Sequence, residues 1–407
     1  MTQTSAHVPD DGHAGPLSAY SLKELQERHS VKWREYPPDV LPMWVAEMDT
    51  PLAEPIAAAL VEAVVRGDTG YAVAGGLPEA YAGFAERRFG RRPDPAGMRL
   101  VPDVMGGIVE VLRLVTGPGD RVVVNTPAYP PYFYWLPRIG REPVHSPLAL
   151  TPDGYRLDLD ALERDFAAGA AAYLLCNPHN PTGLVFGEDE LLAVAELAGR
   201  YGVRVVADEI HAPLVFDGAR HVPFESLDAP AAARSITLAS ASKAWNLAGL
   251  KAALAVPGAE AHGDLAGLSM EISESAGLFG VIASQVAFTA GEPWLADLMA
   301  GLTANRALLG DLLAEHLPVV GYQPPQATYL AWLDFRVLGI GDDPAGWFLR
   351  RGGVALFPGP RFGPTGCGFA RFNFATGADR VTQAVRQMAA SLTGRPRASG
   401  AGALDAL

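Results

Sequence analysis

Cysteine, positive charge and long apolar runs are scarce in this sequence of 407 residues. The two cysteines, Cys176 and Cys367, cannot build a disulfide framework, so we expect a reducing, cytoplasmic compartment. The net charge of −13 argues against broad binding to nucleic acid or anionic membranes. No apolar run is long enough to span a bilayer, and residues 1–16 lack the apolar core of a signal peptide. The composition predicts a soluble globular protein of two or three domains.

Several motifs that identify common ligands are also missing. The sequence contains no Walker loop and no glycine-rich dinucleotide fingerprint, so neither class of nucleotide site is expected. Its cysteines and nine histidines show no zinc-binding spacing, and we expect no bound metal.

Alternating strand and helix patterns are present instead. Short valine-rich runs at residues 121–125, 171–176, 203–207 and 235–239 predict buried strands, and residues 188–201 predict a helix between two of them. This order predicts a large α/β domain with a mostly parallel sheet over residues 61–290. A smaller α+β domain is expected from residues 291–394 together with residues 31–60. We expect flexible ends at residues 1–30 and 395–407.

All four of these strands end in polar residues. These are Asn125 and Thr126, Asn177, Asp208, and the series Ser240, Ser242 and Lys243. Because ligands of open α/β sheets bind beyond the carboxyl ends of the strands, these side chains are predicted to share one site.

The chemistry of two of these groups suits an aldehyde cofactor with a pyridine ring. A buried lysine such as Lys243 has a lowered pKa, and the neutral amine can attack an aldehyde, although an isolated Ser-x-Ser-Lys pattern also fits a surface lysine. Asp208 requires a cationic partner if it is buried, and a pyridinium nitrogen would serve, as would a protein salt bridge or a helix cap.

Two neighbouring motifs offer further polar groups. Asn177 begins the turn Asn-Pro-His-Asn-Pro-Thr-Gly, and its amide is suited to a phenolic oxygen, although a rigid turn alone also explains the two prolines. Gly106 and Gly107 lie at a predicted helix start, where free N–H groups can bind phosphate.

Together these motifs resemble the fold-type I pyridoxal phosphate (PLP) enzymes of the class I/II aminotransferase superfamily, over residues 40–392. The resemblance implies an aspartate aminotransferase-like fold with a seven-stranded sheet, and Lys243 as the lysine that binds PLP. Asp208 would pair with the pyridine nitrogen, and Asn177 would bind the phenolic oxygen. The remaining implied roles are phosphate binding by Gly106, Gly107, Ser240, Ser242 and Lys251, ring stacking by Tyr129, and α-carboxylate binding by Arg371. Tyr71 would complete the site of a partner subunit, which implies a homodimer with shared catalytic sites.

Three segments resemble the cystathionine β-lyase-like (C–S lyase) branch: residues 43–49 (MWVAEMD, against MWVADMD in the branch), 208–211 (DEIH) and 325–334 (PQATYLAWLD). The branch implies α,β-elimination from a cysteine-type thioether to a thiol, pyruvate and ammonia. A PLP-dependent aminotransferase and a PLP-binding regulatory protein without turnover remain alternatives. His211 stands where many relatives have a tyrosine that binds the phenolic oxygen, and a purely structural histidine is the other interpretation. Of the aromatic residues after Tyr129, Tyr132 is expected to face the substrate.

Overall fold

A seven-stranded sheet runs through the computed structural model, which describes residues 15–152 and 154–393. In chain order the described strands are β1 (Leu41–Pro42), β2 (Arg99–Val101), β3 (Arg121–Thr126), β4 (Glu142–Pro147), β5 (Ala149–Thr151), β6 (Gly154–Arg156), β7 (Ala170–Cys176), β8 (Arg204–Asp208), β9 (Ile236–Ala239), β10 (Ala253–Pro257), β11 (Gly321–Tyr322), β12 (Leu330–Asp334), β13 (Val354–Ala355), β14 (Phe357–Pro358) and β15 (Phe369–Asn373).

The central sheet has the order β2-β10-β9-β8-β7-β3-β4. Strands β9, β8, β7, β3 and β4 are parallel, whereas β10 is antiparallel to both of its neighbours. Asp208 at the end of β8 pairs with Cys176 of β7 and with Leu238 of β9. The register therefore brings the carboxyl ends of these strands together, and the prediction of a mostly parallel sheet is confirmed.

Helices cover both faces of this sheet and connect its strands. The described helices are α1 (Leu22–Gln26), α2 (Val31–Arg34), α3 (Glu54–Arg66), α4 (Leu77–Phe89), α5 (Val104–Val115), α6 (Pro130–Arg138), α7 (Leu159–Ala167), α8 (Glu188–Tyr201), α9 (Pro230–Ala233), α10 (His262–Leu265), α11 (Met270–Glu274), α12 (Leu278–Ala290), α13 (Glu292–His316), α14 (Pro344–Gly352) and α15 (Ala378–Thr393). Helix α8 shows how the sequence sets these limits. Three acidic residues occupy its first turn, and Gly202 ends it in a left-handed conformation with φ of 71°.

Alternate residues of the central strands pack into different cores. Val124 and Val206 belong to a buried cluster with α5 and α6, whereas Val123 and Val205 belong to another with α7 and α8. Because successive strand residues point to opposite faces, a sheet covered on both faces needs continuous apolar runs. The valine-rich runs of the sequence supply them.

The two ends of the chain meet beside a second sheet. Strands β11, β12, β15 and β14 form an antiparallel sheet in that order, and β1 pairs in parallel with β13. Asn373 donates hydrogen bonds to the carbonyls of Val45 and Glu47, which ties residues 44–49 to the C-terminal part. The N-terminal segment is thereby fixed next to β15.

The expected flexible ends overlap the described chain only in part. Residues 1–14 and the predicted tail 395–407 lie outside the described residues. From residue 15 onward the chain is ordered into turns and helices, and Leu17 and Leu25 are buried. This differs from the expectation for residues 1–30, because the two leucines supply apolar contacts that ordinary polar ends lack. No helix within the described ranges is long and apolar enough to cross a membrane.

Candidate active site

A cavity of about 590 Å³ opens beyond the carboxyl ends of β7, β8 and β9. Eight residues that the sequence singled out line this one cavity: Gly106, Tyr129, Tyr132, Asp208, His211, Ser242, Lys243 and Lys251. They come from distant parts of the chain, and the parallel sheet brings them together at one edge.

The amine of Lys243 lies in this cavity and donates a hydrogen bond of 3.0 Å to the carbonyl of Ala46. Burial, together with the positive charge of Arg371, lowers the pKa of Lys243 to about 8. About a tenth of the amine is then neutral at pH 7, against roughly one part in 2,500 for an ordinary lysine. The site thus favours a nucleophilic, proton-accepting amine.

The carboxylate of Asp208 is buried and held by two hydrogen bonds. Its Oδ2 accepts from the hydroxyl of Tyr132 at 2.5 Å, and its Oδ1 accepts from the backbone N–H of Ile210 at 3.2 Å. Burial raises the pKa of Asp208, while these bonds and the charge of Lys243 oppose the shift. Tyr132, which was expected to face the substrate, lines the cavity, and its hydroxyl is directed to Asp208.

Two buried polar atoms near Asp208 have no hydrogen-bond partner among the described residues. Asn177 accepts from the N–H of Phe186 at 3.0 Å, which leaves its Nδ2 unpaired. The Nδ1 of His211 is also unpaired, and burial lowers the pKa of this imidazole to about 3, so it is neutral. Because buried polar groups are rarely left unpaired, these two atoms are ready for a ligand with polar groups.

The start of α5 carries the expected phosphate-binding residues, with an unexpected acid beside them. Asp103 caps the helix by accepting from the N–H of Gly106 at 2.7 Å, and it forms an ion pair of 2.8 Å with Lys251. Gly106 and Lys251, two of the five expected phosphate contacts, are therefore bound to Asp103 in this structure.

Gly107 and Ser240 support the cavity from behind and do not line it. A Cβ on Gly107 would lie 2.5 Å from Leu238 and 2.9 Å from Val101, so a glycine allows α5 to approach the sheet. The hydroxyl of Ser240 donates to the carbonyl of Ala252 at 2.7 Å and accepts from the N–H of Ser242 at 3.1 Å. It shapes the loop that carries Ser242.

Arg371, a buried residue of β15, lies beside Asn180 at the edge of the cavity. Its guanidinium donates to Asn180 Oδ1 and to the carbonyl of Trp44, both at 3.0 Å, while its Nε is unpaired among the described residues. The rings of Phe357 and Phe362 lie 4.8 and 5.2 Å from it. Burial lowers the pKa of Arg371 to about 10, so it stays charged at neutral pH. Asn180, which begins the second Asn-Pro pair of the sequence, also lines the cavity. That Asn-Pro pair is the sequence feature that could have identified it.

Tyr71 does not line the cavity and lies on the surface of the described chain. Its side chain is 85% exposed. The expected role of Tyr71 therefore requires a second subunit. In the described residues there is also no cluster of histidine, cysteine and acidic side chains that could hold a metal ion.

Sequence reasoning missed the backbone that faces Lys243. The carbonyl of Ala46 accepts both Lys243 Nζ and, at 2.9 Å, the hydroxyl of Tyr329. Every residue type has a backbone carbonyl, so nothing in the sequence could have identified this contact.

Comparison with known proteins agrees with this geometry. The model of the family "Aminotransferase class I and II" matches residues 70–388. This chain belongs to that family. It is 47% identical over 401 residues to a Mycobacterium leprae protein named as a candidate cystathionine beta-lyase, covering 93% of this chain and 98% of that protein. It is 38% identical to a cystathionine beta-lyase of Corynebacterium glutamicum, covering 91% and 99%. The structure of a PLP-bound C–S lyase from Staphylococcus hominis matches with a TM-score of 0.85 at 26% identity, covering 94% and 100%.

Proposed function

We propose that this chain is a PLP-dependent carbon–sulfur β-lyase that acts on a cysteine-type thioether such as cystathionine. The products are a thiol, pyruvate and ammonia. The observation that carries the proposal is the shared cavity of Lys243 and Asp208, with Arg371 at its edge. Elimination is favoured over transamination because the relatives named as cystathionine beta-lyases match nearly the full length of the chain.

The residues present fit pyridoxal phosphate. Lys243 offers an amine with a lowered pKa to the aldehyde, and Asp208 offers a buried carboxylate to the pyridine nitrogen. The unpaired Nδ2 of Asn177 and the neutral imidazole of His211 supply partners for the phenolic oxygen. The ring of Tyr129 lines the same cavity as a stacking surface.

Binding of the cofactor's phosphate group requires a change in the hydrogen bonds at the start of α5. Lys251 and the N–H of Gly106 must exchange their bonds to Asp103 for bonds to phosphate, or share them. Ser242 lines the same end of the cavity and adds a hydroxyl.

The mechanism assigns a separate task to each side chain. Arg371 binds the α-carboxylate of the substrate, and its two fixed partners, Asn180 and Trp44, orient its guanidinium. Lys243 removes the proton from Cα as a general base, because its lowered pKa leaves neutral amine available. Pyridoxal phosphate paired with Asp208 would supply an electron sink for the pair released at Cα. Lys243 can return the proton to the departing β-sulfur, which leaves as a thiol, and water converts the remaining three-carbon fragment to pyruvate and ammonia.

We also propose that the chain works as a homodimer in the cytoplasm. Between residues 61 and 73 the chain exposes several large apolar side chains: Val61, Val64 and Val65 of α3, and then Tyr71 and Val73. Exposed apolar side chains of this size favour burial against a second copy. The proposed large domain is residues 61–290, and the proposed small domain combines residues 31–60 with residues 291–394.

The test is the stoichiometry of product formation without a keto acid. Supplied with cystathionine, the cofactor-loaded protein is expected to release homocysteine, pyruvate and ammonia through many turnovers. An aminotransferase would stop after about one turnover, with its cofactor left as the amine, until a keto acid was added. Lys243→Ala is the control and should give no product. A stoichiometric halt across a panel of cysteine thioethers would reject the lyase.

A further inference from the structure

Tyr132 is placed to act on Asp208. It belongs to α6, its side chain is buried, and its ring packs edge-on against Tyr129 with centroids 5.5 Å apart. The hydroxyl donates to Asp208 Oδ2 at 2.5 Å, while Ile210 N–H occupies Oδ1. Each carboxylate oxygen has two lone pairs, so both oxygens can still accept another donor.

We propose that Tyr132 is a positioning residue that fixes the carboxylate of Asp208 and keeps it ionised for the pyridine nitrogen of the cofactor. The proposal rests on the proposed function only in that Asp208 pairs with this nitrogen. It does not depend on whether the bound amino acid then undergoes elimination or transamination.

The surroundings of Asp208 make this hydroxyl important. Burial raises the pKa of the carboxyl group, and the hydrogen bond from Tyr132 is the largest opposing influence, followed by the Ile210 N–H bond and the charge of Lys243. Glu209, the next residue in the chain, raises the pKa by its negative charge. Ionisation of Asp208 therefore depends strongly on the hydrogen bond from the neutral hydroxyl of Tyr132.

The other neighbours of Asp208 contribute little charge. Cys176 lies opposite it on β7, and burial together with Asp208 raises the pKa of the thiol to about 12, so the thiol is neutral. Its sulfur hydrogen-bonds to the carbonyl of Pro178. Burial raises the pKa of the phenol of Tyr129 as well, so this ring also carries no charge near neutral pH. Neither group can replace Tyr132 as a donor to Oδ2 without moving.

Tyr132→Phe removes this one hydroxyl and keeps the ring. Without the hydrogen bond the pKa of Asp208 should rise further, so the carboxylate is neutralised at a higher pH. The affinity of the apo-protein for PLP should then begin to fall at a pH about one unit higher than in the unchanged protein. The measurement is the dissociation constant of PLP between pH 5 and 8, followed by absorbance of the bound cofactor.

Tyr173→Phe is the matched control. Tyr173 is also fully buried, and its hydroxyl donates to Asn125 on β3, outside the residues that line the cavity. This variant loses the same atom from a buried ring, so it reports the general cost of the change. Its PLP affinity should keep the original pH dependence.

A second test starts from a variant in which the charge of Asp208 has already been removed. In an Asp208→Asn background, Tyr132→Phe should cause no further shift in the pH dependence of PLP affinity, because no carboxylate remains to be held. A further shift would show that Tyr132 acts through another group and would overturn the proposal.

Kinetics separate this role from substrate binding. A positioning residue should lower kcat with little change in KM, because its effect falls on the carbanion-stabilising cofactor. A raised KM in Tyr132→Phe, with the pH dependence of PLP affinity matching that of Tyr173→Phe, would make Tyr132 a substrate contact and overturn the proposal. Since the PLP measurement needs no turnover, failure of the lyase activity alone would leave it standing.

Discussion

Lys243 combines a buried amine with a positively charged neighbour, and this combination sets its reactivity. Because burial and Arg371 lower the pKa of Lys243 to about 8, only the neutral fraction can attack the cofactor aldehyde. The rate of PLP capture by the apo-protein should therefore rise about tenfold per pH unit below pH 8 and level off above it. Stopped-flow absorbance between pH 6 and 9.5 measures this rate. An increase that continued unchanged to pH 9.5 would mean that the pKa of Lys243 is close to that of an ordinary lysine.

Single residues were predictable where their chemistry is unusual, and their partners were not. Lys243 and Asp208 were identified because they lie where buried strands end, and His211 because it stands where many relatives have a tyrosine. All three line the cavity. Their contacts depend on chain segments far away in sequence. The Ala46 carbonyl lies 197 residues from Lys243, and the Tyr132 hydroxyl lies 76 residues from Asp208. Only the assembled fold fixes such distances.

The segment 44–49 is held against the cavity by a buried ion pair at the N-terminal side. Lys32 Nζ lies 2.9 Å from Asp49 Oδ2, both side chains are 1% exposed, and the indole N–H of Trp33 donates to Asp49 Oδ1. Lys32→Met should leave Asp49 buried and unpaired, at a cost of roughly 3–5 kcal/mol in the free energy of unfolding. Chemical denaturation measures this loss. The exposed Lys23 of α1 supplies the control, since Lys23→Met should change stability by about 0.5 kcal/mol or less.

The double variant Lys32→Met with Asp49→Leu sharpens this test. Removing both charges should recover much of the lost stability, because no unpaired charge remains in the core. If Lys32→Met alone cost less than about 1 kcal/mol, the ion pair would not anchor the segment.

Among the elements, the sequence predicted the buried ones well and the short ones poorly. The predicted strands at residues 121–125 and 171–176 correspond to Arg121–Thr126 and Ala170–Cys176, and the predicted helix 188–201 is Glu188–Tyr201. Continuous valine-rich runs and flanking glycines make these patterns unambiguous. Strand β2 has only three residues and β13 only two, which is too short for a periodic pattern. Their pairing depends on neighbours elsewhere in the chain.

At the scale of the whole molecule, the exposed Tyr71 predicts an assembly that is complete only with two subunits. If Tyr71 serves the site of the partner subunit, Tyr71→Ala and Lys243→Ala homodimers should both be inactive. Mixing the two variants under conditions that allow subunit exchange should restore part of the activity, because a hybrid dimer contains one site with both residues intact. As the control, each variant is taken alone through the same exchange procedure. Absence of recovery, with exchange shown by mass spectrometry, would exclude a shared site.

The meeting of the two chain ends has a consequence for synthesis on the ribosome. Strand β1 at Leu41–Pro42 pairs with Val354–Ala355, and Asn373 binds the carbonyls of residues 45 and 47. The segment that faces Lys243 leaves the ribosome long before these C-terminal partners exist. At about 5–20 residues per second, the interval is roughly 15 to 60 s. During that time the central sheet can form, whereas residues 44–49 have no strand to pair with. The cavity is therefore completed only after the central sheet, and a chain stopped before residue 354 would carry Lys243 and residues 44–49 without the C-terminal contacts that fix one against the other.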